Sequence, residues 1–289
     1  MKTMRSWMNI AVVAAVVAAS AVLLFGQWPS FPTEGPRTPE GKIDFQAPAP
    51  RTADGKIDFS GLWEPAGAGG GRGGLSFNGT PPLQFEIPSA PGDPPLAQFF
   101  NAGAGFSEGL PLQPWAAKLR ADRKANNAKD NPDAHCLPLG LAQLHMHIQP
   151  RKIVQTRREV VILYEANGNV RQILTDGRQL PATDLTPWWY GYSIGHWEND
   201  TLVVESTGFR DDVWLDVEGS PMTSAGKITE RWRRPYFGLL QMDITIDDPK
   251  AYTKRFTVRV NQRLMGDTEL MEFVCEERDA IHYVGAQGK

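Results

Sequence analysis

The stretch Leu240-Gln241-Met242-Asp243-Ile244-Thr245-Ile246-Asp247 alternates apolar and polar side chains without a break. Successive side chains of an extended chain point to opposite faces, so the octet reads as a β-strand with one buried and one wet face. Working outward, the same period recurs. Residues 160–165 and 170–175 flank Asn167-Gly168, a dipeptide that tolerates the positive φ angles of a tight hairpin. Residues 192–198 and 201–207 flank Asn199-Asp200, while 228–233, 256–263 and 269–276 complete the series. Ser60-Gly61-Leu62-Trp63 reads as the entry to the first strand and is reminiscent of the opening of lipocalin-like barrels. The expectation is a mainly β fold, an antiparallel meander of about eight strands or more. So large a sheet curls, splits or closes, giving a lipocalin- or calycin-like barrel or a sandwich.

One short helix is expected. Pro114 suits a first helical turn, Trp115, Ala116 and Leu119 form a narrow apolar stripe behind it, and Asn131-Pro132 ends it. Between helix and sheet, Gln143-Leu144-His145-Met146-His147-Ile148-Gln149 also alternates, and as a strand it would aim both histidines to one side.

The N-terminus carries an export signal. Lys2 and Arg5 precede an apolar run from Ile10 to Phe25 broken by Ser20. Ala19-Ser20-Ala21 offers a cleavage pattern, yet Val22-Leu23-Leu24-Phe25 follows it. With Trp7 and Trp28 at its ends, the segment approaches the length of a bilayer span. Residues 1–28 therefore read either as a cleaved signal peptide or as a signal anchor holding a periplasmic protein to the inner membrane. Residues 29–59 read as a Pro/Gly-rich tether, and 60–289 as a single β-rich domain. Within the tether, Arg37-Thr38-Pro39-Glu40-Gly41-Lys42-Ile43-Asp44-Phe45 nearly repeats at Arg51-Thr52-Ala53-Asp54-Gly55-Lys56-Ile57-Asp58-Phe59, and the first copy is expected to be a spacer. Outside the cytoplasm, Cys136 and Cys275 are expected to form a disulfide, with two buried free thiols as the alternative.

The 30 basic and 33 acidic side chains leave no basic footprint for nucleic acid. Phosphate-binding loops, nucleophile elbows, dinucleotide fingerprints and zinc motifs are absent, so no cofactor is expected.

Four residues qualify as acid–base candidates. Glu230 falls between Ile228 and Trp232 on an apolar face, where a carboxylate must be paired or have its pKa raised. His196 shares a face with Tyr192 and Ile194. His145 and His147 would need further ligands to hold a metal, and Arg151, Lys152, Arg157 and Arg158 nearby would repel a cation, so no metal site is expected. The structural alternative for Glu230 is a buried ion pair with Arg171 or Arg178. The aromatic cluster of Trp188, Trp189, Tyr190, Tyr192, Trp197 and Trp232 reads either as the lining of a pocket for an apolar or amphipathic small molecule, with Arg171 and Arg178 as polar contacts, or as core.

Several motifs together carry a resemblance: residues 50–63, Gln113-Pro114-Trp115-Ala116, Cys136-Leu137-Pro138-Leu139-Gly140, Asp176-Gly177-Arg178 and, longest, Tyr190-Gly191-Tyr192-Ser193-Ile194-Gly195-His196-Trp197-Glu198-Asn199-Asp200-Thr201-Leu202-Val203-Val204-Glu205. Here the chain looks like an uncharacterised family of exported bacterial proteins. The similarity continues through Trp214-Leu215-Asp216, Glu230-Arg231 and Asp247-Asp248-Pro249 to Cys275-Glu276-Glu277. It implies export and a shared fold and no particular activity. Three roles follow as expectations: a small-molecule binder, a cofactor-independent hydrolase, lyase or isomerase, or an accessory protein docking on an envelope partner.

Overall fold

The computed structural model describes residues 31–66, 86–97, 101–181 and 186–275. The chain divides into two units, Met1–Pro32 and Thr33–Lys289, and the second carries the sheet. The apolar segment from Trp7 to Trp28, the glycine run at 67–74 and His282 lie outside the described residues. Among the described residues, no helix is long and apolar enough to cross a membrane.

Nine strands follow one another around a closed barrel: β1 (Gly61–Pro65), β2 (Arg151–Gln155), β3 (Glu159–Tyr164), β4 (Val170–Leu174), β5 (Tyr192–Glu198), β6 (Thr201–Thr207), β7 (Lys227–Tyr236), β8 (Leu239–Asp247) and β9 (Phe256–Leu264). The ring closes where Trp63 of β1 lies opposite Leu264 of β9. Every neighbouring pair is antiparallel except β4 and β5, which run parallel and meet at Leu174 and Ile194. The purely antiparallel meander read from the sequence is corrected at that seam for a topological reason: directions cannot alternate all the way round an odd ring. A parallel pair needs a long crossover, and residues 175–191 supply it.

The alternation in β8 points Leu240, Met242, Ile244 and Ile246 into the barrel, where Met242, Ile244 and Ile246 lie opposite Val260, Val258 and Phe256 of β9 and Leu240 lies opposite Gln262. Each such side chain contributes roughly 1.5–3 kcal/mol on leaving water. Asn167 and Gly168 both take positive φ, 54° and 60°, at the β3–β4 turn. The strand expected at 269–276 does not form: residues 269–275 carry no strand. β9 already pairs with β8 and β1, so the barrel offers no free edge to a further strand.

One helix lies outside the barrel and a second closes one of its ends. The helix α1 (Pro114–Ala125) forms where expected and lies outside, with Ala116 buried and the exposed Trp115 indole donating to the Lys250 carbonyl. The second helix, α2 (Leu141–Met146), replaces the strand expected around the two histidines. All six of its residues are buried, so its apolar alternation did not mark two faces. Gly140 before it lies so close to Trp214 that a Cβ would overlap the Trp214 carbonyl oxygen. At the helix end, Arg151 donates to the carbonyls of Leu144, His145, His147 and Gln149 at 2.5–3.0 Å, which satisfies groups a buried helix terminus would otherwise orphan.

The opposite end is covered by the segment expected to be a tether. Both copies of the repeat fold into the same turn, with bridges Arg37 to Ile43 and Arg51 to Ile57. Each arginine donates to its own glycine carbonyl and to an aspartate of the barrel unit, Arg37 to Asp267 and Arg51 to Asp200. Phe59 is fully buried between Trp197, which it stacks on at 5.7 Å, and the edge of Trp232. The first copy is therefore not a spacer. Its Ile43 is buried and its Phe45 packs over Gly238, so the Ile-x-Phe of each copy is an anchor that outweighs the Pro/Gly composition around it.

Candidate functional site

At the barrel centre, one polar cluster is built from side chains that strand pairing points inward. Glu230 of β7, Arg171 of β4, Ser193 of β5 and Ser206 of β6 meet there, and α2 lowers His145 onto them. Arg171 Nη1 donates to both Glu230 oxygens at 3.1 and 3.0 Å, and its Nη2 donates to Ser206 Oγ at 3.1 Å and Ser193 Oγ at 3.1 Å. His145 Nε2 lies 2.8 Å from Glu230 Oε1, and Gln262 Nε2 donates to the His145 carbonyl at 2.7 Å.

The electrostatics assign the protons. Burial opposes the charge on Glu230, but Arg171 and His145 beside it prevail and hold its carboxyl down at about 2. Burial dominates at His145 and lowers its pKa, so the imidazole is neutral, with its proton on Nε2 facing the carboxylate. That leaves His145 Nδ1 as an acceptor, and it is one of several buried polar atoms here without a protein partner. The hydroxyls of Tyr164 and Tyr190 are others. Burial pushes the Tyr164 hydroxyl up to about 12 and Tyr190 higher still. The arrangement is a carboxylate–imidazole pair fixed by a guanidinium, the geometry of a general base. It is also closed: His145, Glu230 and Arg171 are at most 2% exposed.

Of the sequence candidates, the structure brings Glu230, His145 and Arg171 together and separates the rest. His147 is buried just past α2, accepts the Gln149 backbone N–H on Nδ1, and has no part in the Glu230 contact. His196 is corrected outright. Its side chain is 52% exposed on the outside of β5, 3.5 Å from Glu198, because Ser193, Gly195 and Trp197 are the inward set. Arg178 is not Glu230's partner either; it binds Asp176 and donates to the Tyr192 hydroxyl at the surface.

The aromatic cluster splits, which corrects its reading as one pocket lining. Trp232 and the half-buried Trp197 pack with Phe59 in the core. Trp188 is half exposed beside Tyr192, and Trp189 lies under Arg210. Ser193, Ser206, Tyr164 and Gln262 were missed by the sequence reading. Small residues at inward positions next to an inward arginine were the available signal, since a buried guanidinium needs room and hydroxyl acceptors.

The second feature is a cleft of about 420 Å³ at the β3–β4 rim. Its walls are the corner Leu163–Val170 and the C-terminal segment Leu270–Cys275, which the Cys136–Cys275 disulfide fastens down. Val170, Met271 and Val274, three of the most exposed large apolar side chains, line it. Tyr164 and Glu165 form part of its wall, so the cleft and the buried cluster share Tyr164, whose ring centre lies 6.5 Å from that of His145. Among the described residues, no group of three or more His, Cys, Asp or Glu is placed to hold a metal ion.

No family model, curated protein or solved structure matches the chain. What the geometry defines is a closed mixed β-barrel with an ion cluster sealed at its centre and an apolar cleft at its rim.

The histidines carry a pH prediction. Burial, reinforced by Arg151, lowers His147 to about 3. Between pH 6.5 and 3 the unfolded chain takes up a proton that the folded chain refuses, so stability falls with pH by about 1.4 kcal/mol per unit in that window. Glu165, Asp133 and Asp216, whose pKa values are raised by burial, oppose the trend. They cancel when wild type is compared with H147N, which keeps an acceptor near the Nδ1 position. Urea unfolding at pH 6, 5 and 4 should show wild type losing about 2–3 kcal/mol more than H147N. Parallel profiles would mean that His147 protonates freely in the folded state.

Proposed function

We propose that the protein is an exported barrel that binds an apolar or amphipathic small molecule, and that the ligand sits in the rim cleft rather than among the tryptophans. One observation carries the reading: a concavity of about 420 Å³ whose apolar lining includes Val170, Met271 and Val274, each more than half exposed. That volume is in the range of small-molecule sites, and exposed apolar residues gathered around a concavity are unusual on a surface without a partner. The export signal read in residues 1–28 and the disulfide both fit a life in the periplasm, free or held at the inner membrane.

A neutral apolar probe, N-phenyl-1-naphthylamine, tests this. Wild type should bind about one equivalent, and M271S and V170S should each weaken binding about tenfold, the worth of one apolar side chain's contact. A protein that takes up no probe sinks the reading.

A second reading, acid–base catalysis at the centre, is favoured by the partnerless Nδ1 of His145 next to a fixed carboxylate. It requires α2 to move, since the cluster is closed. Exposed Trp188 is the corresponding observation for docking on an envelope partner.

A further inference from the structure

The chemistry of the cleft lining goes further than its apolarity. Among the described residues, its charged members are Glu165 and Glu272, and no Lys, Arg or His lines it. Glu165 is 9% exposed, and its Oε2 is buried without a hydrogen-bond partner. The backbone N–H of Met271 and the side chain of Gln149 favour its charged form, yet burial outweighs them and raises the carboxyl's pKa. Among the described residues, no ion pair gives this carboxylate a counter-charge. The buried arginines of β2 and β4 are committed elsewhere, Arg171 to Glu230 and Arg151 to the four carbonyls at the end of α2. Phe273 adds an aromatic ring to the C-terminal wall, and aromatic faces attract cations, while the buried Tyr164 ring of the other wall already has the Arg151 guanidinium 6.0 Å from its centre. The remaining polar lining, Asn167 and Asn169, brings amide groups without charge.

We propose that the cleft selects an organic cation: a molecule with an alkyl or aryl body against Val170, Met271 and Val274 and an ammonium head beside Glu165 and Glu272. This rests on the small-molecule reading above and names its chemical class. A bound ammonium would supply the charge that Glu165 lacks. Among the described residues of the lining, an anionic amphiphile such as a fatty acid would meet two carboxylates and no cation, so the site discriminates by repulsion as well as attraction.

The test uses three probes with the same chain below their aggregation concentrations: octyltrimethylammonium, 1-octanol and octanoate, titrated calorimetrically into the protein. The ammonium should bind at least about tenfold tighter than octanol, with octanoate weakest. E165Q, isosteric with wild type, and E272Q, at the rim, should each weaken the ammonium and leave octanol unchanged. Because E272Q alters an exposed residue, it keeps the test valid should E165Q fail to fold. Three probes that bind alike would overturn the cation proposal while leaving the binding reading intact. No binding by any of them would overturn both. Ammonium binding that ignores both substitutions would place the cation elsewhere and overturn the assignment of this cleft.

Discussion

Replacing Arg171 with alanine should destabilise the protein by about 3–5 kcal/mol, the cost of leaving one member of a buried ion pair behind. Arg171 and Glu230 are 2% and 0% exposed, and water cannot take over the contact without opening the barrel. The variant loses more than the pair, because Ser193 Oγ and Ser206 Oγ accept from the same guanidinium and keep only their mutual contact of 2.8 Å. In R171A the cation that holds Glu230 ionised is gone, so the Glu230–His145 pair should recruit a proton, and part of the loss should return as pH falls. The magnitude reflects the orphaned charge rather than any net worth of the pair, and this is itself testable. R171M/E230M, which removes both charges and roughly preserves volume, should be less destabilised than the sum of R171M and E230M by about 2–3 kcal/mol. Chemical denaturation of the four proteins decides it; additive losses would mean that water already reaches the cluster.

Much of the barrel was legible because its hairpins obey simple rules. Asn167-Gly168 and Asn199-Asp200 sit where the alternation resets, and the structure turns at both. Glu230 was legible too, since Ile228 and Trp232 on either side fixed its face. β5 was read out of phase because Tyr192 and Ile194 are more apolar than Ser193 and Gly195. Hydrophobicity alone cannot reveal that the inward set is small to accommodate an arginine from β4. α2 was misread for a related reason: a segment buried on all sides has no wet face, so its period carries no information about its fold. The strap at 33–59 was hidden by composition, although its repeated Ile-x-Phe was visible and is what docks. The cleft could not be read at all, because it joins the β3–β4 corner to residues about 100 positions later through the disulfide, and no local pattern records such a meeting.

Removing that disulfide is the second large perturbation. Cys136 and Cys275 are separated by 139 residues, with Cα atoms 5.4 Å apart. In the chain-entropy model a crosslink over that length restricts the unfolded state by about 5 kcal/mol, against a range of roughly 2–4 typically measured. C136S/C275S should therefore lose about 2–5 kcal/mol in guanidinium unfolding. The loss acts on the unfolded chain, so the folded barrel should survive it: β9 still closes on β1, and the strap still pairs Arg37 with Asp267. Beyond Asp267 the situation differs. Among the described residues, 268–275 have no strand partner, and besides the disulfide their polar fixed points are the Lys152–Glu269 ion pair and the Met271 N–H at Glu165. A partly exposed ion pair contributes at most about 1 kcal/mol, too little to order eight residues that each surrender about 1–2 kcal/mol of backbone entropy. The segment should therefore detach in C136S/C275S while the barrel stays folded, and the cleft should lose the wall formed by Met271, Phe273 and Val274. The measurable signature is a dissociation: far-ultraviolet circular dichroism unchanged, amide exchange at 270–275 accelerated, and uptake of N-phenyl-1-naphthylamine abolished. Retention of full probe binding in the unlinked protein would show that the cleft does not depend on its C-terminal wall and that the ligand site lies elsewhere on the barrel.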